Sequence, residues 1–107
     1  MVYIFDIDGT ICTETGGQYA LAEPFKDRIE TINKMYYDGH TIKYFTARGM
    51  GRFNDKDMAA SIFYDMTENQ LKKWGAQYHD LIFGKPAGDM YIDNKGSSDD
   101  HFFCDFF

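Results

Sequence analysis

Val2-Tyr3-Ile4-Phe5-Asp6-Ile7-Asp8-Gly9-Thr10 is an apolar run that stops at two carboxylates one residue apart and then turns. A continuous series of β-branched and aromatic residues reads as a strand covered on both faces, as in a parallel sheet with helices above and below it. In such sheets the ligand crevice lies beyond the carboxyl ends of the strands, so Asp6 and Asp8 fall at its mouth. Gly9 lets the backbone leave the sheet with no Cβ in the way.

Outward from this strand, residues 11–23 carry Gly16-Gly17 among polar neighbours and read as a flexible excursion over the strand tips, a candidate flap. Pro24 suits the first position of a helix, where its missing N–H goes unnoticed. Phe25, Ile29, Ile32 and Tyr36 then recur at helical spacing until Gly39. Residues 41–46 alternate and are rich in β-formers, which gives a second strand ending at Thr46-Ala47-Arg48-Gly49. Strand, helix, strand implies a right-handed parallel crossover.

Residues 48–57 read as a polar loop, after which Met58, Ala59, Ile62, Phe63 and Met66 resume a helical stripe. Thr67-Glu68-Asn69-Gln70 has the form of a capping box, which predicts a break and a fresh helical turn through Leu71 and Trp74 to Gly75. Asp80-Leu81-Ile82-Phe83-Gly84 reads as a third strand and Met90-Tyr91-Ile92-Asp93 as a fourth. Only residues 85–89 separate these two, too few for a crossover helix. The expected architecture is one α/β domain over residues 1–107, a three-layer Rossmann-like fold. Its parallel sheet of about four strands should have the spatial order four-one-two-three. No gap between the predicted elements is long enough for a cap domain.

Composition narrows the function. A net charge of −6 argues against a nucleic-acid binder that works through a broad basic face. It would also repel an anionic substrate, so a phosphate site needs a concentrated local source of positive charge. Cys12 and Cys104 sit in no metal-binding or redox spacing and read as reduced thiols of a cytoplasmic protein. Four apolar residues before Asp6, without a basic flank, make neither a signal peptide nor a membrane anchor.

Four strand ends bring polar groups toward one crevice: Asp6 and Asp8 from the first, Thr46 and Arg48 from the second, Lys85 after the third, Asp93 and Asn94 after the fourth. Phosphoryl transfer needs this inventory of hard oxygen ligands for Mg²⁺, a nucleophile, an acid/base, and donors for the phosphoryl oxygens. Taken singly the residues have plainer readings. Asp6 could form a turn, Arg48 could be a surface charge and Lys85 a solvated loop lysine. A calcium loop fails because Thr10 and Cys12 stand where oxygen ligands should follow. His40, His79 and His101 follow no ligand spacing, and the methionines read as loop and core filler.

In this order, Asp6-Ile7-Asp8-Gly9-Thr10, Phe45-Thr46-Ala47-Arg48, Gly84-Lys85-Pro86 and Tyr91-Ile92-Asp93-Asn94 resemble the four motifs of the haloacid dehalogenase superfamily of phosphatases. The short chain and its compact ending are similar to the small capsule-biosynthesis phosphatases of that superfamily. The resemblance implies that Asp6 is a nucleophile forming an aspartyl-phosphate. It makes Asp8 the general acid and then base, a role that calls for a pKa near the working pH. It makes Thr46 and Lys85 partners of the phosphoryl group, with Arg48 as a further substrate-binding residue. Asp6, the main-chain carbonyl of Asp8, and Asp93 would hold Mg²⁺. Asn94 departs from the pair of acids often found in the fourth motif, and Asp89 sits at the wrong end of the fourth strand to be a ligand.

The implied activity is hydrolysis of a small, sugar-type phosphate monoester. A non-catalytic phospho-acceptor of the bacterial receiver type also gathers acids, a Thr and a Lys around Mg²⁺. It places its acceptor Asp after a middle strand, however, whereas Asp6 follows the first. A degraded enzyme serving as a scaffold is the third reading. Phe102-Phe103-Cys104-Asp105-Phe106-Phe107 is too apolar to stand in water. It should either fold back over the sheet edge as core or contribute to a homo-oligomer contact.

Overall fold

A computed structural model of the chain describes residues 1–88 and 96–104. Three strands, β1 (Val2–Phe5), β2 (Thr41–Thr46) and β3 (Asp80–Phe83), form one parallel sheet in the order β1-β2-β3. All three fall where the apolar patterning put them. The expected fourth strand, with Asp93 and Asn94, lies outside the described residues, so the described sheet has three strands rather than about four.

Helix α1 (Lys26–Tyr37) makes the crossover from β1 to β2 and buries Ile29, Ile32 and Met35. Gly39 follows it at φ +99°, a conformation that costs glycine no steric strain. The helix starts two residues after Pro24 because extended pairing claims that residue. Pro24 bridges antiparallel to Cys12, and its neighbours supply the bonds: Thr13 N–H donates to the Glu23 carbonyl at 3.0 Å and Phe25 N–H to the Ile11 carbonyl at 2.8 Å. Both ends of the 11–23 excursion are thereby tied together.

The segment read as a loop after β2 contains a short helix, α2 (Met50–Phe53). Next comes α3 (Lys56–Lys73), started by Asp55, whose side chain accepts from the N–H groups of Asp57 and Met58. The break predicted at Thr67 does not occur: α3 runs unbroken for 18 residues. Its inward stripe is Ala59, Phe63, Thr67 and Leu71, at i, i+4 spacing, while Met58 and Ile62 are about half exposed. Close backbone approach selects that stripe. A Cβ at Gly49, which has φ +79°, would stand 2.9 Å from the Ala59 Cβ and from the Phe63 ring.

One face of the sheet carries the core. Phe5, Ile42, Tyr44, Leu81 and Phe83 are buried with Ile29 and Ile32 of α1 and with Ala59 and Leu71 of α3. On the other face Val2 is 58 %, Ile4 62 % and Ile82 39 % exposed. Among the described residues the expected three layers are therefore two. Both described crossovers, through α1 and through α3, run on the core face, and the described residues add no helix on the other.

The tail answers one of its two readings. Helix α4 (Asp99–Cys104) lays Phe102 and Phe103 against Phe5, and Phe103 is buried. Arg28 of α1 secures it, pairing with Asp99 at 2.7 Å and Asp100 at 3.0 Å and stacking 4.7 Å over the Phe103 ring. These two phenylalanines are core of their own chain. Phe106 and Phe107 lie outside the described residues. No described helix is long and apolar enough to cross a membrane.

Candidate functional site

The parallel register brings the ends of β1, β2 and β3 to one edge. Asp6 follows β1 directly, and its Oδ1 accepts the Ile7 N–H at 2.8 Å. Lys85 lies two residues beyond β3, and its N–H donates to the Thr46 carbonyl at 3.1 Å, which continues the β2–β3 ladder past the last paired residues. That continuation sets the Lys85 Nζ 3.4 Å from Asp6 Oδ2. Burial pushes the Asp6 carboxyl pKa up, and Lys85 with the Ile7 N–H pulls only partly the other way. Lys85 therefore offsets only part of what burial costs the charged form of Asp6.

Asp8 is directed elsewhere. Arg48 grips it with two parallel bonds, Nε to Oδ2 and Nη2 to Oδ1, both 2.9 Å. Read alone, Arg48 suggested a surface charge; in fact it is 1 % exposed. Its Nη1 donates to Thr67 Oγ1 at 3.1 Å and to Gln70 Oε1 at 2.7 Å. The two residues that spell a capping box, Thr67 buried and Gln70 half-buried, are acceptors for this cation, which is why α3 continues through them. A buried guanidinium without such acceptors would be costly. Thr46 is buried too, and its Oγ1 accepts the Arg48 N–H at 3.1 Å.

Two further residues at the site carried no usable sequence signal. The Cys12 thiol is buried and directs its weak S–H at the Ile7 carbonyl and at Asp8 Oδ1, each 3.6 Å away. Burial and the Asp8 charge push its pKa up to about 12. The folded protein should therefore react with a thiol reagent near pH 8 at Cys104, which is exposed, and at Cys12 only after unfolding. Equal rates for both thiols in the native state would place Cys12 outside the core.

Tyr19 stands in a 3₁₀ turn (Tyr19–Leu21) within the 11–23 excursion. Its ring lies 4.9 Å from the Arg48 guanidinium carbon and meets Phe63 edge-on at 5.0 Å. Its hydroxyl accepts the Gly49 N–H at 2.9 Å, and its carbonyl accepts from Gln70 Nε2 at 2.8 Å. The excursion is thus docked on the residue that grips Asp8.

The structure brings Asp6, Asp8, Thr46, Arg48 and Lys85 together, while Asp93 lies outside the described residues. No cluster of three His, Cys, Asp or Glu side chains among the described residues is placed to hold a metal ion. The donors present nonetheless suit a hard divalent cation: the Asp6 carboxylate and the Asp8 carbonyl, both oxygens, follow the end of β1 within three residues. A cleft of about 430 Å³ between α1 and the end of α3, beside Trp74, holds none of these residues. Its charged lining is Lys26, Glu30 and Lys73, whereas Asp6, Asp8 and Lys85 stand at the strand tips.

No family model and no curated protein matches the chain. Among solved structures, the chain is similar to a protein from Vibrio cholerae, with TM-score 0.85 and 26% identity over 94% of this chain and 85% of that one. It is also similar in fold to the D,D-heptose 1.7-bisphosphate phosphatase from B. bronchiseptica, crystallised with magnesium and phosphate. There the TM-score is 0.55 and the identity 15%, over 90% of this chain and 53% of that one, so the chain spans about half of that enzyme. The α/β fold with its parallel sheet is thus one that a phosphatase also uses.

Proposed function

We propose that the chain is a Mg²⁺-dependent phosphomonoester hydrolase that works through an aspartyl-phosphate on Asp6. One observation carries the reading: Asp6 stands at the sheet edge paired with Lys85 at 3.4 Å, next to a second carboxylate with its own guanidinium clamp. A phospho-acceptor that only stores a phosphoryl group has no need of that oriented second acid. The fold shared with a heptose bisphosphate phosphatase supports a sugar-type substrate.

In this scheme an Asp6 oxygen attacks phosphorus, the P–O bond to the leaving group breaks, and Asp8 gives that oxygen a proton. Water then attacks the acyl phosphate, Asp8 takes its proton, and inorganic phosphate leaves. Lys85 neutralises Asp6 and the incoming phosphoryl charge, and Thr46 offers its hydroxyl proton to a phosphoryl oxygen. Arg48 is buried and directs four of its five N–H donors at Asp8, Thr67 and Gln70, so we assign it to holding Asp8 rather than to binding substrate. With Arg48 on both Asp8 oxygens and Cys12 on Oδ1, Oδ2 keeps a lone pair for the transferred proton. Asp6, the Asp8 carbonyl and Asp93 would hold Mg²⁺, which supplies charge neutralisation between anionic nucleophile and anionic substrate.

Phosphate release across a panel of sugar phosphates, nucleotides and phosphopeptides tests the proposal. Turnover of sugar phosphates with Mg²⁺, lost on adding EDTA and restored by Mg²⁺, is the expected result. Stable phosphorylation of Asp6 by acetyl phosphate, with no turnover of any panel member, would establish the receiver-type reading instead.

A further inference from the structure

The 11–23 excursion does more than pass over the strand tips. Arg48 can orient Asp8 only while its own plane is fixed, and the contacts that fix it come from two sides. Thr67 and Gln70 hold one guanidinium nitrogen from α3, and the Tyr19 ring covers the group from the excursion. Tyr19 is itself pinned three ways: by the Gly49 N–H immediately after Arg48, by Gln70, and by Phe63. Gln70 is shared, since its Oε1 receives Arg48 while its Nε2 donates to the Tyr19 carbonyl. Gly16 and Gly17, at φ +64° and +99°, form a point of easy bending just before this anchor.

We infer that Tyr19 is a positioning residue that couples the docked excursion to the orientation of Asp8 through Arg48. With Tyr19 in place, Arg48 is sealed from water and Asp8 is held for proton transfer. When the excursion lifts, the guanidinium is uncovered and the clamp loosens. The inference rests on the proposed hydrolase reading, because only there does Asp8 have a proton to deliver.

The test uses Tyr19→Leu and Tyr19→Phe in the full chain with Mg²⁺, on phenyl phosphate and 4-nitrophenyl phosphate. The first leaving group needs a proton and the second scarcely does. Misplacing a general acid therefore lowers kcat/KM for phenyl phosphate by at least about tenfold more than for 4-nitrophenyl phosphate. Tyr19→Leu should show that divergence, and Tyr19→Phe, which keeps the ring over Arg48, a smaller one. Exchange of the Arg48 Nε–H with solvent, followed by NMR, should quicken in the same order and does not depend on catalysis. In an Arg48→Met background Tyr19→Leu should add nothing further to the leaving-group divergence. Equal losses on both substrates, full additivity with Arg48→Met, or unchanged Nε–H exchange would overturn the inference. A parent protein that hydrolyses neither substrate, yet shows the exchange effect, would instead refute the hydrolase reading.

Discussion

Asp6→Asn should end phosphate release, lowering kcat by about 10⁴-fold or more, while the folded state persists. The amide keeps the shape of the side chain and the bond from the Ile7 N–H but cannot form the acyl phosphate. The same variant should be the more stable protein at neutral pH without metal. Burial raises the Asp6 pKa above its ordinary value, so between the two values the native chain holds a proton that the unfolded chain has lost. Stability therefore falls as pH rises through that window, and an uncharged Asn escapes the loss. Thermal unfolding in EDTA should give Asp6→Asn a higher Tm than the parent at pH 7, with the gap closing below pH 3.8, the ordinary value for the group. A lower Tm for the variant at pH 7 would mean that the Lys85 pair outweighs burial, and near-normal turnover would remove Asp6 from the chemistry.

Arg48→Met should be the most destabilising of the site substitutions. It leaves Asp8 without its fork of donors and strands the acceptors on Thr67 and Gln70. Breaking a buried pair from one side costs about 3–5 kcal/mol; with the Asp8 side chain 21 % exposed the lower end applies, which in a domain of this size lowers Tm by about 10 °C or more. Arg48→Lys should rescue little, because a single ammonium cannot reproduce two parallel bonds to one carboxylate. Asp8→Asn combined with Arg48→Met should recover part of the stability but none of the activity, since no buried charge is then left alone. Chemical denaturation of the four proteins measures this directly. A loss under about 1 kcal/mol for Arg48→Met would match an exposed pair and contradict the clamp.

The strands and α1 were legible because local patterning decides them. Val2 to Phe5, residues 41–46 and residues 80–83 are short runs rich in β-formers, the first closed by Asp6 and the third by Gly84, and Ile29 and Ile32 mark one face of a helix. What failed was decided by partners distant in sequence. Thr67 and Gln70 have the letters of a helix start, yet a guanidinium 19 residues away from Thr67 uses them from the side of an intact helix. Met58 and Ile62 looked like core on apolar character alone, but Gly49 needs the small side chain of Ala59 against it, which turns the helix. The site was legible as an inventory and not as a geometry. Asp6 and Lys85 meet as their motifs implied, whereas the commitment of Arg48 to Asp8 depends on how α3 crosses the sheet.

The bond from the Lys85 N–H to the Thr46 carbonyl has an evolutionary consequence. The separation of Lys85 from Asp6 is set by the strand ladder, not by the loops around it. Insertions near Gly16 and Gly17, or in the turn around Asn54, lengthen surface segments and leave that ladder untouched. Deleting one residue within β3 instead reverses which way every later side chain points and carries the lysine to the wrong side. Selection on this scaffold can therefore reshape what reaches the strand tips while the Asp6–Lys85 pair is inherited intact.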